Sequence, residues 1–193
     1  MYCNFRSDVL QNTSNARIIE RWDALALKDG WLVAGCLFQT VWNLVSEHPA
    51  GSHIKDYDLF YFDPSDTSEA GERAVQQRVE AVLEDLGITV EVANQARVHC
   101  WYEDHFGHPY EPLSRAKEGI DRFLIPGTCV GINATEVYAP NGLQLLYEGM
   151  LTMNPLTPHK TLFSQKAASY QRRWPWLRIS PVPVHGVTCT ASL

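Results

Sequence analysis

Apolar positions along the chain alternate between helical and strand spacing. After Ser14, the residues Ile18, Ile19, Trp22, Leu25 and Leu27 recur at helical intervals, and Asp29-Gly30 stops the pattern. The unbroken apolar run Trp31 to Ala34 predicts a buried strand. Helical spacing returns with Leu37, Val41, Leu44 and Val45, until His48-Pro49-Ala50-Gly51-Ser52 breaks it. Residues 57 to 62 then read as a strand. Glu69 to Leu86 read as an amphipathic helix with Ala74, Val79, Val82, Leu83 and Leu86 inward and Gly87 at its end, and Ile88 to Val92 as a short strand. The first half is therefore predicted to run strand, helix, strand, helix, strand.

The second half is patterned less sharply. Val98 to Tyr102 are expected to be extended, Ser114 to Phe123 helical, and Thr128 to Asn133 paired as a strand with Glu136 to Tyr138. A helix is expected to begin at Leu143, and another spans Leu162 to Arg173, ended by Trp174-Pro175. Residues 1 to 13 carry few apolar side chains and predict a loosely packed start; the proline-rich stretch after Ser180 predicts a loosely held tail. The fold class is α+β with a mixed sheet, in a single domain over residues 1 to 193.

With 45% hydrophobic and 20% charged residues the chain is an ordinary globular one, and its net charge of −6 argues against a broad nucleic-acid-binding surface. Basic residues nonetheless gather late, at Lys160, Lys166, Arg172, Arg173 and Arg178, while acidic residues dominate from Asp56 to Asp85. The cysteines, Cys3, Cys36, Cys100, Cys129 and Cys189, include no C-x-x-C pair, so neither a disulfide framework nor a zinc site is indicated. No apolar leader or membrane-length run occurs, and a cytoplasmic protein without membrane partners is expected.

Chemistry concentrates around the second predicted strand. Asp56 and Asp58, at i and i+2, share one strand face and are spaced to hold Mg2+ (or Mn2+), an ion that takes one or two carboxylates together with substrate phosphate oxygens. The alternative is a solvent-facing acidic strand edge. Gly35, at the strand-to-helix turn, opens a helix whose amides can receive a phosphate. Asn94, Gln95, Arg97 and His99 form a second cluster; if the strand continues, Gln95, Arg97 and His99 share one face and can read a base, sugar or phosphate. A hydrogen-bonded structural turn explains Asn94 and Gln95 equally simply and Arg97 less so, and a packed core histidine is the commoner role for a residue such as His99. Lys166 and Arg173 could close over a triphosphate, and Trp101-Tyr102 and Trp174-Pro175-Trp176 offer stacking surfaces or core filling.

The run from Leu32-Val33-Ala34-Gly35-Cys36 to Asn43, followed by Ile54-Lys55-Asp56-Tyr57-Asp58-Leu59-Phe60-Tyr61-Phe62-Asp63, resembles a family of mostly bacterial nucleotidyltransferase-like proteins within the polymerase-β-like superfamily. The likeness continues at Val90 to His99, Pro109-Tyr110, Glu118 to Phe123 and Tyr138-Ala139-Pro140, covering about residues 17 to 178. It implies a polymerase-β-like core over about residues 15 to 140, with C-terminal helices over about 141 to 180. It also implies a third carboxylate from a neighbouring strand, for which Glu91 is the candidate; a solvent-facing edge glutamate is the alternative. The chain departs from the superfamily pattern at Cys36, where Ser or Gly is usual: the amide remains, the hydroxyl donor does not. Relatives also often carry a basic residue where this chain has Ala93, and small residues where it has Ile125-Pro126-Gly127.

The function these features imply is metal-dependent transfer of a nucleoside monophosphate from a nucleoside triphosphate to an acceptor hydroxyl on a small molecule, protein or RNA. The alternative is a catalytically silent nucleotide-binding or protein-interaction module on the same fold. An open cleft at the Gly35 turn shared by Asp56, Asp58 and Glu91 favours catalysis; a filled cleft with Glu91 turned away favours the silent module.

Overall fold

The computed structural model describes residues 4–180. Three short helices lead in: α1 (Phe5–Val9), α2 (Thr13–Glu20) and α3 (Trp22–Leu25). From residue 4 onward the start is not loose, because Phe5 and Val9 stand one helical turn apart and are both buried in the main core. Arg6 anchors it further, donating to the Asn133 carbonyl at 2.8 Å.

Strand β1 (Trp31–Val33) runs into α4 (Gly35–Val45); β2 (Tyr57–Tyr61), α5 (Glu69–Leu83) and β3 (Val90–Asn94) follow, as the spacing predicts. Next come a 3-10 turn over residues 95–100, α6 (Tyr102–Phe106), α7 (Ala116–Asp121), β4 (Gly131–Ile132) and β5 (Val137–Tyr138). The described residues close with α8 (Gln144–Tyr147), β6 (Met150–Leu151), α9 (Lys160–Arg173) and β7 (Arg178–Ile179). A five-stranded sheet has the order β3-β2-β1-β4-β5, with β2 and β3 parallel and the other pairs antiparallel. The small parallel β6-β7 sheet has no counterpart in the sequence pattern. The predicted tail after Ser180 lies outside the described residues.

Period-two alternation divides the central strands between two faces. Tyr57, Leu59 and Tyr61 of β2, with Leu32, Val90 and Val92, enter the large core formed with α1, α2, α4 and α5. On the opposite face Trp31 and Val33 pack with Ala116 and Ile120 of α7, flanked by Phe60 and Phe123. The outer edge of β3 is covered by side chains of α5: Val92 N–H donates to Gln76 Oε1 at 2.7 Å, and Asn94 N–H to Glu72 Oε1 at 2.8 Å.

Residues 98 to 102 are not extended. Asn94 turns the chain out of the sheet: its Oδ1 accepts from Asp63 N–H at 3.0 Å and Ala96 N–H at 3.1 Å, and its Nδ2 donates to the Asp63 and Asp66 carbonyls. A buried amide meeting all its partners within two loops favours the turn over a continued strand. Gln95, Arg97 and His99 therefore do not line up on one strand face.

Candidate active site

The pairing register places the acids. Val33 of β1 faces Asp58 of β2, and Asp58 faces Glu91 of β3, so the three occupy one row on the sheet face opposite the main core. Adjacent strands lie about 4.8 Å apart, which brings the Asp58 and Glu91 backbones side by side. Asp56 precedes β2 on the same face and is loosely paired with Lys55 at 3.8 Å. Burial, then the neighbouring charges of Asp56 and Glu91, push the Asp58 carboxyl up to about 7, opposed by Lys166. Among the described residues no three acidic, histidine or cysteine side chains enclose an ion-sized space. The acids form an open row.

The strand-to-helix turn is built on strain. Ala34 has φ 61° and ψ −138°, a region that L-residues other than glycine seldom adopt. This reverses the chain abruptly and aims the start of α4 at the acid row. Leu37 and Phe38 N–H reach the Ala34 carbonyl, and no side chain caps the helix, so the Gly35 and Cys36 amides have no acceptor within it. At Gly35 a Cβ would stand 2.5 Å from Gln39 Nε2; glycine there lets the Gln39 side chain fold back over the helix start. The Cys36 thiol takes no part in the opening. It is fully buried and donates to the Val33 carbonyl at 3.2 Å, and burial, then Asp58, raises its pKa.

Between this turn and α9 lies a cleft of about 420 Å3, lined by Ala34, Gly35, Gln39, Asp56, Asp58, Glu91, Arg122, Thr128, Lys166, Tyr170 and neighbouring apolar side chains. Helix α9 is held in place by aromatic packing: the Trp42 ring is 5.1 Å from Tyr170 and 5.3 Å from Trp174. Trp42 Nε1 donates to the Leu146 carbonyl at 3.1 Å, and Trp174 Nε1 to Asn43 Oδ1 at 3.0 Å. Thus anchored, α9 presents Lys166 to the cleft. Arg173 sits one step behind, donating to Gln39 Oε1 at 3.1 Å with its guanidinium 4.7 Å from the Trp174 ring centre.

The second predicted cluster disperses. Asn94 is spent on the loop it fixes, and Arg97 is paired with Glu72 and donates to the Thr67 carbonyl at 3.2 Å. His99 is half-buried, its Nδ1 without a partner, and lies in neither cleft lining. Gln95 lines a second cleft adjoining the first. Trp174 fills the core, Trp176 donates to Ser46 Oγ at 2.8 Å, and Trp101 and Tyr102 line the second cleft. Ala34, Gln39, Arg122, Thr128 and Tyr170 also line the cleft, and the sequence reading gave none of them a role in the site. Gln39 stands one helical turn after Gly35, a spacing that would have placed it over the helix start; an alanine in a glycine conformation has no sequence signal.

A solved NMR structure described as revealing a CCA-adding enzyme head domain is similar to this chain at 23% identity and a TM-score of 0.73, covering 92% of this chain and 93% of that one. At that identity the likeness concerns the fold alone. No curated protein matches the chain. Among the described residues no helix is long and apolar enough to cross a membrane. Residues 20–179 match the model of a family described as Nucleotidyltransferase, and with most of its length so matched the chain belongs to that family.

Proposed function

We propose that this protein is a divalent-metal-dependent nucleotidyltransferase that moves a nucleoside monophosphate from a nucleoside triphosphate to an acceptor hydroxyl. The observation that carries the reading is the open cleft shared by the uncapped start of α4, Asp56, Asp58, Glu91 and Lys166. It favours a catalytic protein over a silent module, whose cleft need not stay open at the acids. The oxygen donors fit a hard cation: burial first, and then the like charges of Asp56 and Glu91, hold the Asp58 carboxyl near neutral pKa, and a bound cation would offset both. Bound Mg2+ or Mn2+ would neutralise charge on the transferring phosphoryl group and on the leaving pyrophosphate.

The chain's own groups divide the remaining work. The Gly35 and Cys36 N–H groups, at the positive end of α4, receive phosphate oxygens, and Lys166 adds a cation from the opposite wall. Asp56 and Asp58 would hold the ion, with Glu91 completing the set or accepting the acceptor's proton. The acceptor oxygen bonds to the α-phosphorus, the bond to the bridging oxygen of the β-phosphate breaks, pyrophosphate leaves with that electron pair, and the hydroxyl proton passes to a carboxylate and then to water. Asn94 and Arg97 hold the loop behind the site. The free thiols of Cys36, Cys100 and Cys129 support work in the reducing cytoplasm.

The test is a screen of α-labelled ribonucleoside triphosphates with magnesium against extracts of small-molecule acceptors and RNA, comparing wild type with Asp56→Ala/Asp58→Ala. Label transfer by wild type alone is expected. Binding or turnover by neither protein, for every triphosphate, sinks the proposal; binding without turnover points to the silent module.

A further inference from the structure

A second cleft, of about 450 Å3, adjoins the first and shares Asp58, Phe60, Glu91 and Arg122 with it. Its distinctive wall is aromatic. Tyr102 and Tyr110 have ring centres 4.5 Å apart, and Trp101 lies 6.0 Å from Tyr102. The Arg122 guanidinium stands 4.2 Å over the Tyr110 ring, at the junction of the two clefts. At the base, Gln95 is buried against α7 so closely that a Cβ on Gly119 would meet its Oε1 at 2.0 Å, giving the cleft one fixed amide.

The sheet order sets the relation between the clefts. Across it run the phosphate-receiving turn after β1, then Asp58 on β2, then Glu91 on β3, and the second cleft lies on the β3 side. In-line displacement needs the attacking oxygen opposite the departing pyrophosphate. A triphosphate seated at α4 and an acceptor entering from the β3 side meet that requirement at the acids. The wall chemistry narrows the acceptor. Among the described residues Arg122 is the one lysine or arginine in the lining, set against Asp58 and Glu91. Between Trp101 and Glu111 the chain carries Glu103, Asp104 and Glu111 and no lysine or arginine, a poor track for a phosphodiester backbone. The volume suits one ring-bearing small molecule.

Resting on the nucleotidyltransferase reading, we infer that the second cleft is the acceptor subsite, and that it takes a small, non-anionic molecule whose flat apolar ring stacks on Tyr102, Tyr110 and Trp101 and whose hydroxyl reaches Asp58 and Glu91. The transfer is that given above: the acceptor's O–H bond is broken, its oxygen joins the α-phosphorus, and pyrophosphate is released.

Tryptophol and tyrosol serve as probes, both flat-ringed alcohols without charge, with a short RNA bearing a free 3′-hydroxyl as the competing acceptor. Saturation-transfer NMR measures probe binding to wild type and to Trp101→Ala/Tyr102→Ala; nucleotide binding is measured separately with each of the four ribonucleoside triphosphates and magnesium. Saturable probe binding that weakens by about tenfold in the double variant, from loss of two stacking rings, with triphosphate affinity held within about twofold, is the expected result. Triphosphate binding with no probe binding, or with probe binding equal in both proteins, overturns the inference and leaves the nucleotidyltransferase reading standing. Label transfer to the RNA but to neither probe overturns it as well. Probe binding with no triphosphate binding at all overturns the transferase reading and the acceptor role together.

Discussion

The two faces of the central sheet are made by the same strands under opposite constraints. On one, Leu32, Leu59, Tyr61 and Val92 are buried beneath α4 and α5 in a continuous apolar core. On the other, apolar cover from α7 reaches Trp31, Val33 and Phe60 and then gives way to Asp58 and Glu91 at an open cleft. Strand periodicity permits this division: residues 57, 59 and 61 supply the burial that holds β2, so 56 and 58 can carry charge. The stable face holds a strained one in place, where a carboxyl is kept near neutral pKa and Ala34 adopts a conformation suited to glycine.

The largest contrast follows from removing each face's key side chains. Asp56→Ala/Asp58→Ala is expected to lower turnover by more than about a thousandfold, upwards of ~4 kcal/mol of transition-state stabilisation, while thermal unfolding shows an unchanged or raised midpoint. Trp42→Ala is expected to behave in the opposite way. Its ring packs with Phe38, Tyr170 and Trp174, and truncation should cost about 3 to 5 kcal/mol in urea unfolding. Turnover should fall only as α9 loses its seat and Lys166 with it. A double-Asp variant that unfolds as readily as Trp42→Ala would erase the distinction between the faces.

The same contrast governs what was legible in the sequence. The buried face could be read because its rules are simple: helical spacing in Leu37, Val41 and Leu44 marked α4, and the run rich in Tyr, Phe and Leu from Tyr57 to Phe62 marked β2. Asp56, Asp58, Gly35 and Glu91 were legible as types at fixed places in that frame, and the cleft does join them. Asn94, Arg97 and His99 are equally polar, but hydrogen bonding turns the chain after Asn94 and directs Arg97 to Glu72. That choice depends on loop 63–66, brought near by tertiary packing. The start at Phe5 and Val9 was missed for a related reason, since two apolar residues make a convincing helix only once α4 is present to cover them. Arg122 joins the site through α7, whose position over the sheet no local pattern specifies.

A smaller effect should appear in the pH dependence of the ligand-free protein. The Asp58 carboxyl is raised from its ordinary value to about 7, chiefly by burial and then by Asp56 and Glu91. Between an unfolded pKa of about 4 and that folded value the native state binds more protons than the unfolded one, so Asp58 lowers stability as pH rises through this window and holds it down above it. Three units would set a ceiling of about 4 kcal/mol, and water in the open cleft should reduce this to about 2. Asp58→Asn is therefore expected to be more stable than wild type at pH 8, with the gap closing towards pH 4. Added magnesium should stabilise wild type more at pH 8 than at pH 5.5 and leave the Asn variant nearly unmoved. A gap that widens on acidification would show that Asp58 is held ionised, and the strained-face account would be wrong.

The smallest expected effect is at Ala34. Its φ of 61° and ψ of −138° cost an L-residue free energy that glycine is spared, while glycine gives up backbone entropy on folding. With the first of order 1–3 kcal/mol and the second of order 0.5–1, Ala34→Gly should raise stability by about 1 kcal/mol, measured as a shift in urea midpoint at unchanged slope. Greater freedom at the same turn should loosen the direction in which the Gly35 and Cys36 amides point. Triphosphate affinity is accordingly expected to fall a few-fold even as stability rises, whereas substitutions in the apolar face should lower both together. If Ala34→Gly is neutral or destabilising, the turn stores no strain, and the amides at the start of α4 are held by the packing of the helix alone.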